Sequence, residues 1–336
     1  MLNKKSSNLW LSAYYKKKQA NSPLKNDANL NKKTKSSQQK LTNPNKTVDE
    51  WDQLSLQAIQ QQDHTMIIQE NSPYQQVHLV EAADLRLYLD EQLQFSSLDE
   101  KIYHEALVHP AFMFAPHATR VLIVGGGDGL ALREVLRHEQ VSQADLVDLD
   151  PIVLNAAASN PNLSALNNQS FFDSRVTIYC QDANQYLKGM LQPYDIIIVD
   201  FPDPTNEITS KLYTVEFYNN LQRYLSDDGI IVCQSNSPED TPVVYWSIAK
   251  TMEAAGLSTV GYHTIVPSFG DWGFHLASKT KLKVQTTNLP VQTRSLPTIE
   301  KLFSFPTSIY NQRQNAIVNS EQALLLHKIF LKEIKG

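Results

Sequence analysis

The chain has 336 residues, of which 42% are hydrophobic and 19% charged, enough for a sizeable core in more than one domain. Its net charge of −5 is unevenly spread: residues 1–47 carry eleven lysines against one acid, Asp27, for about +10, and the remaining 19 basic and 34 acidic residues leave the body at about −15. So acidic a body argues against nucleic acid as the main partner and suits small cationic ligands, which its field would attract.

Residues 1–47 are rich in Lys, Asn, Ser and Gln, with too few large apolar residues to offset the entropy of ordering, so a disordered basic tail is expected. From 48 to 117 short alternating stretches such as Gln76-Val77-His78-Leu79-Val80 and Leu85-Arg86-Leu87-Tyr88-Leu89 predict a small N-terminal domain of strands and hairpins. A linking helix over 99–107, with Ile102, Tyr103, Ala106 and Leu107 on one side, ends it.

The pattern changes between 118 and 280. An apolar strand at 121–124 runs into Gly125-Gly126-Gly127-Asp128-Gly129 and a helix over 130–138; unalternated apolar strands follow at 144–147, 176–179 and 194–199. A helix over 215–225, a turn at Asp227-Asp228-Gly229 and a fifth strand at 230–234 complete the run. Strands that are apolar on both faces and alternate with helices predict a parallel sheet in a Rossmann-like, doubly wound α/β domain of the methyltransferase type. Residues 281–336 form a C-terminal extension, with an amphipathic helix expected over 321–334. The two cysteines, Cys180 and Cys233, sit in strand-like apolar runs and read as buried free thiols, not as a disulfide framework. The longest apolar run is far short of the roughly 20 residues that cross a bilayer, and the start shows no small-residue cleavage site. A cytoplasmic location is expected.

Glycines between a strand and a helix let a ligand approach the backbone, although such turns also serve packing alone. Asp148, at the end of the next strand and 21 residues after Gly127, can accept both hydroxyls of a ribose. Asp182 ends the strand after that. Acids at successive strand ends suit a nucleoside without pyrophosphate, which they would repel, and an S-adenosyl ligand with its cationic sulfonium fits that description.

These residues resemble the polyamine aminopropyltransferase family, to which spermidine synthase belongs. The resemblance runs from Tyr74 to Lys279 through "LDEKIYHEALVHP" (98–110), "VLIVGGGDGLALREVL" (121–136), "VDLDP" (147–151), "YDIIIVDFPDP" (194–204), "KLYTVEFY" (211–218), "CQSNSP" (233–238) and "YHTIVPSFGDWGF" (262–274). The last block and "LFSFP" (302–306) look most like the bacterial branch that often carries an N-terminal membrane domain, in whose place this sequence has its basic tail. Asp90-Glu91 departs from the usual Asp-Gly, and His104 stands where many eukaryotic members have glutamine.

The resemblance implies a transferase of polyamine biosynthesis with decarboxylated S-adenosylmethionine as co-substrate, no cofactor and no metal, assembled as a homodimer or homotetramer. It puts Asp148 on the ribose, Asp182 and Ala183 around the adenine, Asp128 on the aminopropyl ammonium, and Gln75 and Gly125 in the same donor site. Tyr103, His104, Gln94, Gln234 and Tyr262 would line the substrates, with Asp203 binding the amine and Asp200 as general base. Residues 205–211 become a candidate lid. Out of context, Asp200 and Asp203 with their prolines would read as a strand-terminal turn. His104 and His109, five apart, read as packing or hydrogen-bonding residues, and Tyr213, Phe217 and Tyr218 as helix packing. Two alternatives are a methyltransferase on the same fold and a non-catalytic polyamine- or nucleoside-binding protein; repulsion between Asp128 and the carboxylate of ordinary S-adenosylmethionine favours aminopropyl transfer over the first.

Overall fold

A computed structural model of the protein describes residues 50–282, 289, 291–293 and 295–335, all within one compact unit that begins at Val48. The expected basic tail, 1–47, lies outside the described residues. The chain opens on helix α1 (Glu50–Gln60), where alternating stretches predicted only strands. Its turns bring Leu56 and Ile59 together against Val80, Tyr88 and Leu93, so a polar, glutamine-rich segment is helical because one narrow face packs on a sheet.

That sheet is an antiparallel meander of β1 (Thr65–Asn71), β2 (Gln76–Glu81), β3 (Leu85–Leu89) and β4 (Gln92–Ser96), paired in chain order. The β3–β4 hairpin closes on Asp90 and Glu91, both at positive φ (49° and 69°) as a type I′ turn requires. Two bonds hold this turn where glycine is usual: Gln53 Nε2 donates to Glu91 Oε2 at 2.7 Å, and Asp90 Oδ1 accepts from Gln76 N.

After α2 (Glu100–Phe114) comes a seven-stranded sheet. Its chain order is β5 (Arg120–Gly125), α3 (Leu130–Leu136), β6 (Gln143–Asp148), α4 (Pro151–Ser159), α5 (Pro161–Leu166), β7 (Val176–Cys180), α6 (Ala183–Tyr186), β8 (Tyr194–Asp200), α7 (Glu207–Ser210), α8 (Val215–Arg223) and β9 (Leu225–Gln234). Helix α9 (Pro242–Ala254) leads into the hairpin β10 (Ser258–Val266) and β11 (Gly270–Ser278), which joins the sheet antiparallel. The spatial order is β10-β11-β9-β8-β5-β6-β7, with β5 to β9 parallel. Val121 to Val124 and Ile196 to Val199 are fully buried, as strands covered on both faces must be. The order reverses between β5 and β8, and a crevice opens above the carboxyl ends of strands at such a switch point.

Strand β9 begins five residues before the expected position and absorbs the predicted turn. Tyr194 pairs with Leu225 and Ile196 with Ile230, so Asp227-Asp228-Gly229 bulges out of a continuing ladder. The C-terminal extension holds α10 (Ile299–Leu302), α11 (Thr307–Asn311) and α12 (Leu326–Glu333). The last helix starts later than expected because the Asn319 side chain accepts from Leu325 N and Leu326 N and anchors its first turn. Cys233 is buried, whereas Cys180 is half-buried, and both are free thiols. Among the described residues no helix is long and apolar enough to cross a membrane.

Candidate active site

A cavity of about 970 Å³ lies at the switch point, lined from the ends of β5, β6, β7, β8 and β9, by the meander, by Ser268, Phe269 and Trp272 and by Phe330, Glu333 and Ile334 at the tip of α12. Its wall includes Gln75, Gln94, Tyr103, His104, Gly125, Asp128, Asp148, Asp182, Ala183, Asp200, Asp203 and Gln234. Of the described lining residues only His104 and Lys211 can carry positive charge, so the cavity is a sink for cations.

The glycine loop is fixed by what it touches. A Cβ at Gly125 would lie 2.1 Å from Asp200 O, and one at Gly127 would lie 2.7 Å from the Asp148 carboxyl carbon. The glycines therefore draw both acids against the loop. Asp148 Oδ2 accepts from Gly127 N at 3.0 Å and its Oδ1 from Asp150 N at 2.8 Å, which fixes the carboxylate at the mouth of the loop. Burial raises its pKa to about 7, aided by the neighbouring charges of Asp150 and Asp128 and opposed by the two backbone N–H groups.

Asp128 is buried and N-terminal to α3, with Oδ1 accepting from Leu130 N at 2.8 Å. Burial raises its pKa while the nearby His104 holds it down. Asp182 caps α6 by accepting from Gln185 N, so it serves the fold and the wall together. Sequence reasoning missed Asp150: its Oδ1 caps α4 at Ile152 N, and its Oδ2 accepts from Gln75 Nε2 at 2.9 Å, orienting Gln75 in the cavity. The Asp-Pro pair at 150–151 is a readable helix start, but nothing local shows that it reaches Gln75.

Across the cavity, Tyr103 donates from its hydroxyl to Asp200 Oδ1 at 2.7 Å. Burial lifts the Asp200 pKa to about 6, with His104 and the Tyr103 bond lowering it and Asp128 raising it. The Tyr103 hydroxyl is itself pushed well above its usual value by burial and by Asp200, so it stays protonated. His104 packs edge-on against Tyr103, and its Nδ1 lies 2.9 Å from Glu100 Oε2 and 2.7 Å from Glu100 O. Burial would depress its pKa, but the hydrogen bond and charge of Glu100 overcome that and raise it. Glu100 in turn holds Arg133 through two bonds of 2.8 and 2.9 Å.

Asp203 Oδ1 accepts from Asn236 Nδ2 at 2.7 Å and from Gln234 Nε2 at 3.4 Å. Gln234 makes shorter bonds to Phe201 O (2.6 Å) and Tyr213 OH (2.8 Å), so its amide braces the turn after β8. Tyr262 does not reach the cavity: it is fully buried, donates to Ala106 O at 2.8 Å and stacks on Phe274. The hairpin pleat turns it toward α2, while Trp272 and Phe269 of the same hairpin face the cavity.

Among the described residues one cluster has metal-ligand spacing: Glu105, His109 and Glu134, with ligand atoms within 4.8 Å of one another. Arg137 lies 3.3 Å from Glu105 Oε1 and 2.5 Å from Glu134 Oε2, and Arg133 lies 2.8 Å from Glu134 Oε1. The guanidinium groups supply the positive charge these acids need, which makes the cluster an ionic brace between α2 and α3.

Residues 100–288 match the spermine/spermidine synthase domain. The chain belongs to the spermine/spermidine synthase family. A family relative, polyamine aminopropyltransferase 2 of Bacillus cereus, is 49% identical over 294 residues, covering 86% of this chain and 80% of its own. Polyamine aminopropyltransferase 1 of Streptomyces coelicolor is 53% identical over 194 residues, which cover 58% of this chain and 36% of that longer one. Among solved structures, spermidine synthase from Thermotoga maritima superposes with a TM-score of 0.67 at 25% identity, covering 74% of this chain and 88% of its own. A spermidine synthase in complex with the transition-state analogue AdoDATO superposes at 0.68 with the same identity and coverage. The family's fold and transferase class are thus those of this chain.

Proposed function

We propose that the chain transfers the aminopropyl group of decarboxylated S-adenosylmethionine to putrescine, giving spermidine and methylthioadenosine. The observation that carries this reading is the run of acids along one cavity, Asp148 and Asp128 on the glycine-loop side and Asp200 and Asp203 after β8, with Tyr103 bonded to Asp200. A sulfonium, an aminopropyl ammonium and a polyamine are all cations, and the wall is built for cations.

In this mechanism Asp148 accepts the ribose hydroxyls, Asp182 and Ala183 flank the adenine, Gln75 and Gly125 complete the donor wall, and Asp128 faces the aminopropyl ammonium. Asp203 draws in the amine, with His104, Tyr103 and Gln94 along its path. The amine must shed a proton before it has a lone pair to use. With a pKa of ~10.4, only about one molecule in a few thousand is neutral at pH 7, a cost of roughly 4 to 5 kcal/mol. Asp200, whose pKa burial raises to about 6, accepts that proton as general base. The nitrogen lone pair then forms a bond to the methylene beside sulfur, the carbon–sulfur bond breaks, and its electron pair returns to sulfur as the neutral thioether. Holding both reagents in attack geometry contributes more to the rate than the base does.

The same carboxylates explain donor choice. Ordinary S-adenosylmethionine would bring a carboxylate toward Asp128, and the decarboxylated donor does not. Residues 205–211, with Asn206 closing a capping box on Thr209, act as a lid over the amine. The free thiols and the small cationic substrates suit a cytoplasmic enzyme, and we assign a homodimer or homotetramer, testable by light scattering.

Purified protein with a panel of putrescine, cadaverine, agmatine and spermidine, read by mass spectrometry, tests the acceptor. Spermidine and methylthioadenosine formed only from the decarboxylated donor support the reading. Methylated product from the ordinary donor would sink it, and unchanged transfer by Asp200→Asn would remove Asp200 as the base.

A further inference from the structure

The loop after β9 holds a residue for which the chemistry so far has no use. Asn236 is 2% exposed and its φ is 71°, the left-handed region that asparagine tolerates better than most side chains. Each of its hydrogen-bonding groups is engaged. Its N–H donates to Gln234 Oε1 at 3.1 Å, and its carbonyl accepts from Gly273 N at 2.9 Å. Thr241 Oγ1 lies 3.0 Å from its Oδ1, and its Nδ2 donates to Asp203 Oδ1 at 2.7 Å. The approach of β11 is equally constrained, because a Cβ at Gly273 would lie 2.9 Å from Asn236 O.

Two chemical facts give this arrangement its direction. A carboxylate is an acceptor only, so the amide end toward Asp203 is the donor end, which leaves Oδ1 for the Thr241 hydroxyl, a group that also lies 3.0 Å from Ser237 O. The donor is also neutral. It orients the Asp203 carboxylate without cancelling its charge, which a lysine or arginine there would do. Gln234, the other amide near Asp203, is committed to Phe201 O and Tyr213 OH at shorter range.

We propose that Asn236 is a positioning residue for amine binding: clamped by Thr241, it holds Asp203 in the orientation that receives the incoming ammonium, and so sets acceptor affinity without touching the donor. The inference rests on the amine-binding role proposed for Asp203.

Steady-state kinetics of Asn236→Gly, Asn236→Asp, Thr241→Val and Asp203→Asn, with each substrate varied in turn, test it. Glycine accepts the left-handed backbone, so Asn236→Gly removes the donor and little else. Its amine KM is expected to rise about tenfold, as loss of a hydrogen bond to a charged group implies, with the donor KM unchanged. Thr241→Val leaves Asn236 in place but frees its amide, and is expected to raise the amine KM severalfold. In Asn236→Asp the two carboxylates share one proton at low pH, which restores the donor. The amine KM is then expected near wild type in acid and rising as that proton is lost while the donor KM stays level, a split that a merely structural residue would not create.

An unchanged amine KM in Asn236→Gly, or an equal rise for both substrates, overturns the inference. The Asp203→Asn variant separates the two levels of failure. If it raises the amine KM while Asn236→Gly does not, only the role of Asn236 falls; if it changes nothing, the amine role of Asp203 falls and the inference with it.

Discussion

Replacing Tyr103 with phenylalanine should move the acid limb of activity toward higher pH. The Tyr103 hydroxyl donates to Asp200 Oδ1 at 2.7 Å and opposes the burial that raises Asp200, which titrates at about 6 with that bond in place. A hydrogen bond to a charged group contributes about 1.5 kcal/mol or more, and one pKa unit is about 1.4 kcal/mol, so its loss should lift the group by about one unit. At pH 6 the ionised fraction of Asp200 then falls from about a half to about a tenth, a roughly fivefold loss of kcat/KM from this cause. At pH 8 the carboxyl is ionised in both proteins and the loss from this cause disappears. The assay is methylthioadenosine release followed over pH 5 to 9 with both substrates limiting, where the rate reports the free enzyme. A Tyr103→Phe profile that is lower by one constant factor at every pH would refute the reasoning, because Tyr103 would then be shaping the cavity without tuning the base.

Three further outcomes are expected. Gly127→Ala puts a Cβ 2.7 Å from the Asp148 carboxyl carbon; the displaced acid should raise the KM of the nucleoside donor by between about ten- and a hundredfold and leave that of the amine nearly unchanged. Glu100→Gln takes the charge from a buried partner of Arg133 and His104 and should cost about 3 kcal/mol, a fall on the order of 10 °C in the midpoint measured by calorimetry. Glu134 is held below its ordinary 4.5, against the opposing effect of burial, by His109, Arg133 and Arg137. A carboxyl lowered in the folded state stabilises the protein fully above its unfolded pKa and loses that contribution as pH falls through the folded value. Glu134→Gln should therefore be less stable at pH 7, by denaturant titration, with the gap to wild type narrowing below pH 4.5.

The parallel strands were legible because covered strands need no polar face: the apolar runs ending at Val124, Val147 and Val199 have no other comfortable place. Asp148 and Asp200, directly after two of these runs, were legible for the same reason, since a carboxylate in that position must lie at the sheet's edge. Strand β9 was harder. Its Asp-Asp-Gly stretch carries every local mark of a turn, and only pairing with Tyr194 and Ile196 turns it into a bulge. Tyr262 shows the limit on the site: whether a hairpin residue faces the cavity or the neighbouring helix depends on the phase of the pleat, and a shift of one residue exchanges the faces. Asp150 and Asn236 were invisible as site residues because their partners, Gln75 and Asp203, are 75 and 33 residues away and meet them only in the folded chain.

The two walls of the cavity differ in kind. The wall on the glycine-loop side hangs from the parallel strands, with the register Gly125 to Asp200 locked by a backbone contact that has no room for a methyl group. The far wall is assembled from a short capped helix, a loop after β9 and the last turn of α12. One wall is a chassis and the other is trim. Mutational drift, or a laboratory library confined to Ile208, Lys211, Leu212, Phe330 and Ile334, can reshape what the enzyme accepts while the machinery that delivers the aminopropyl group stays as it is.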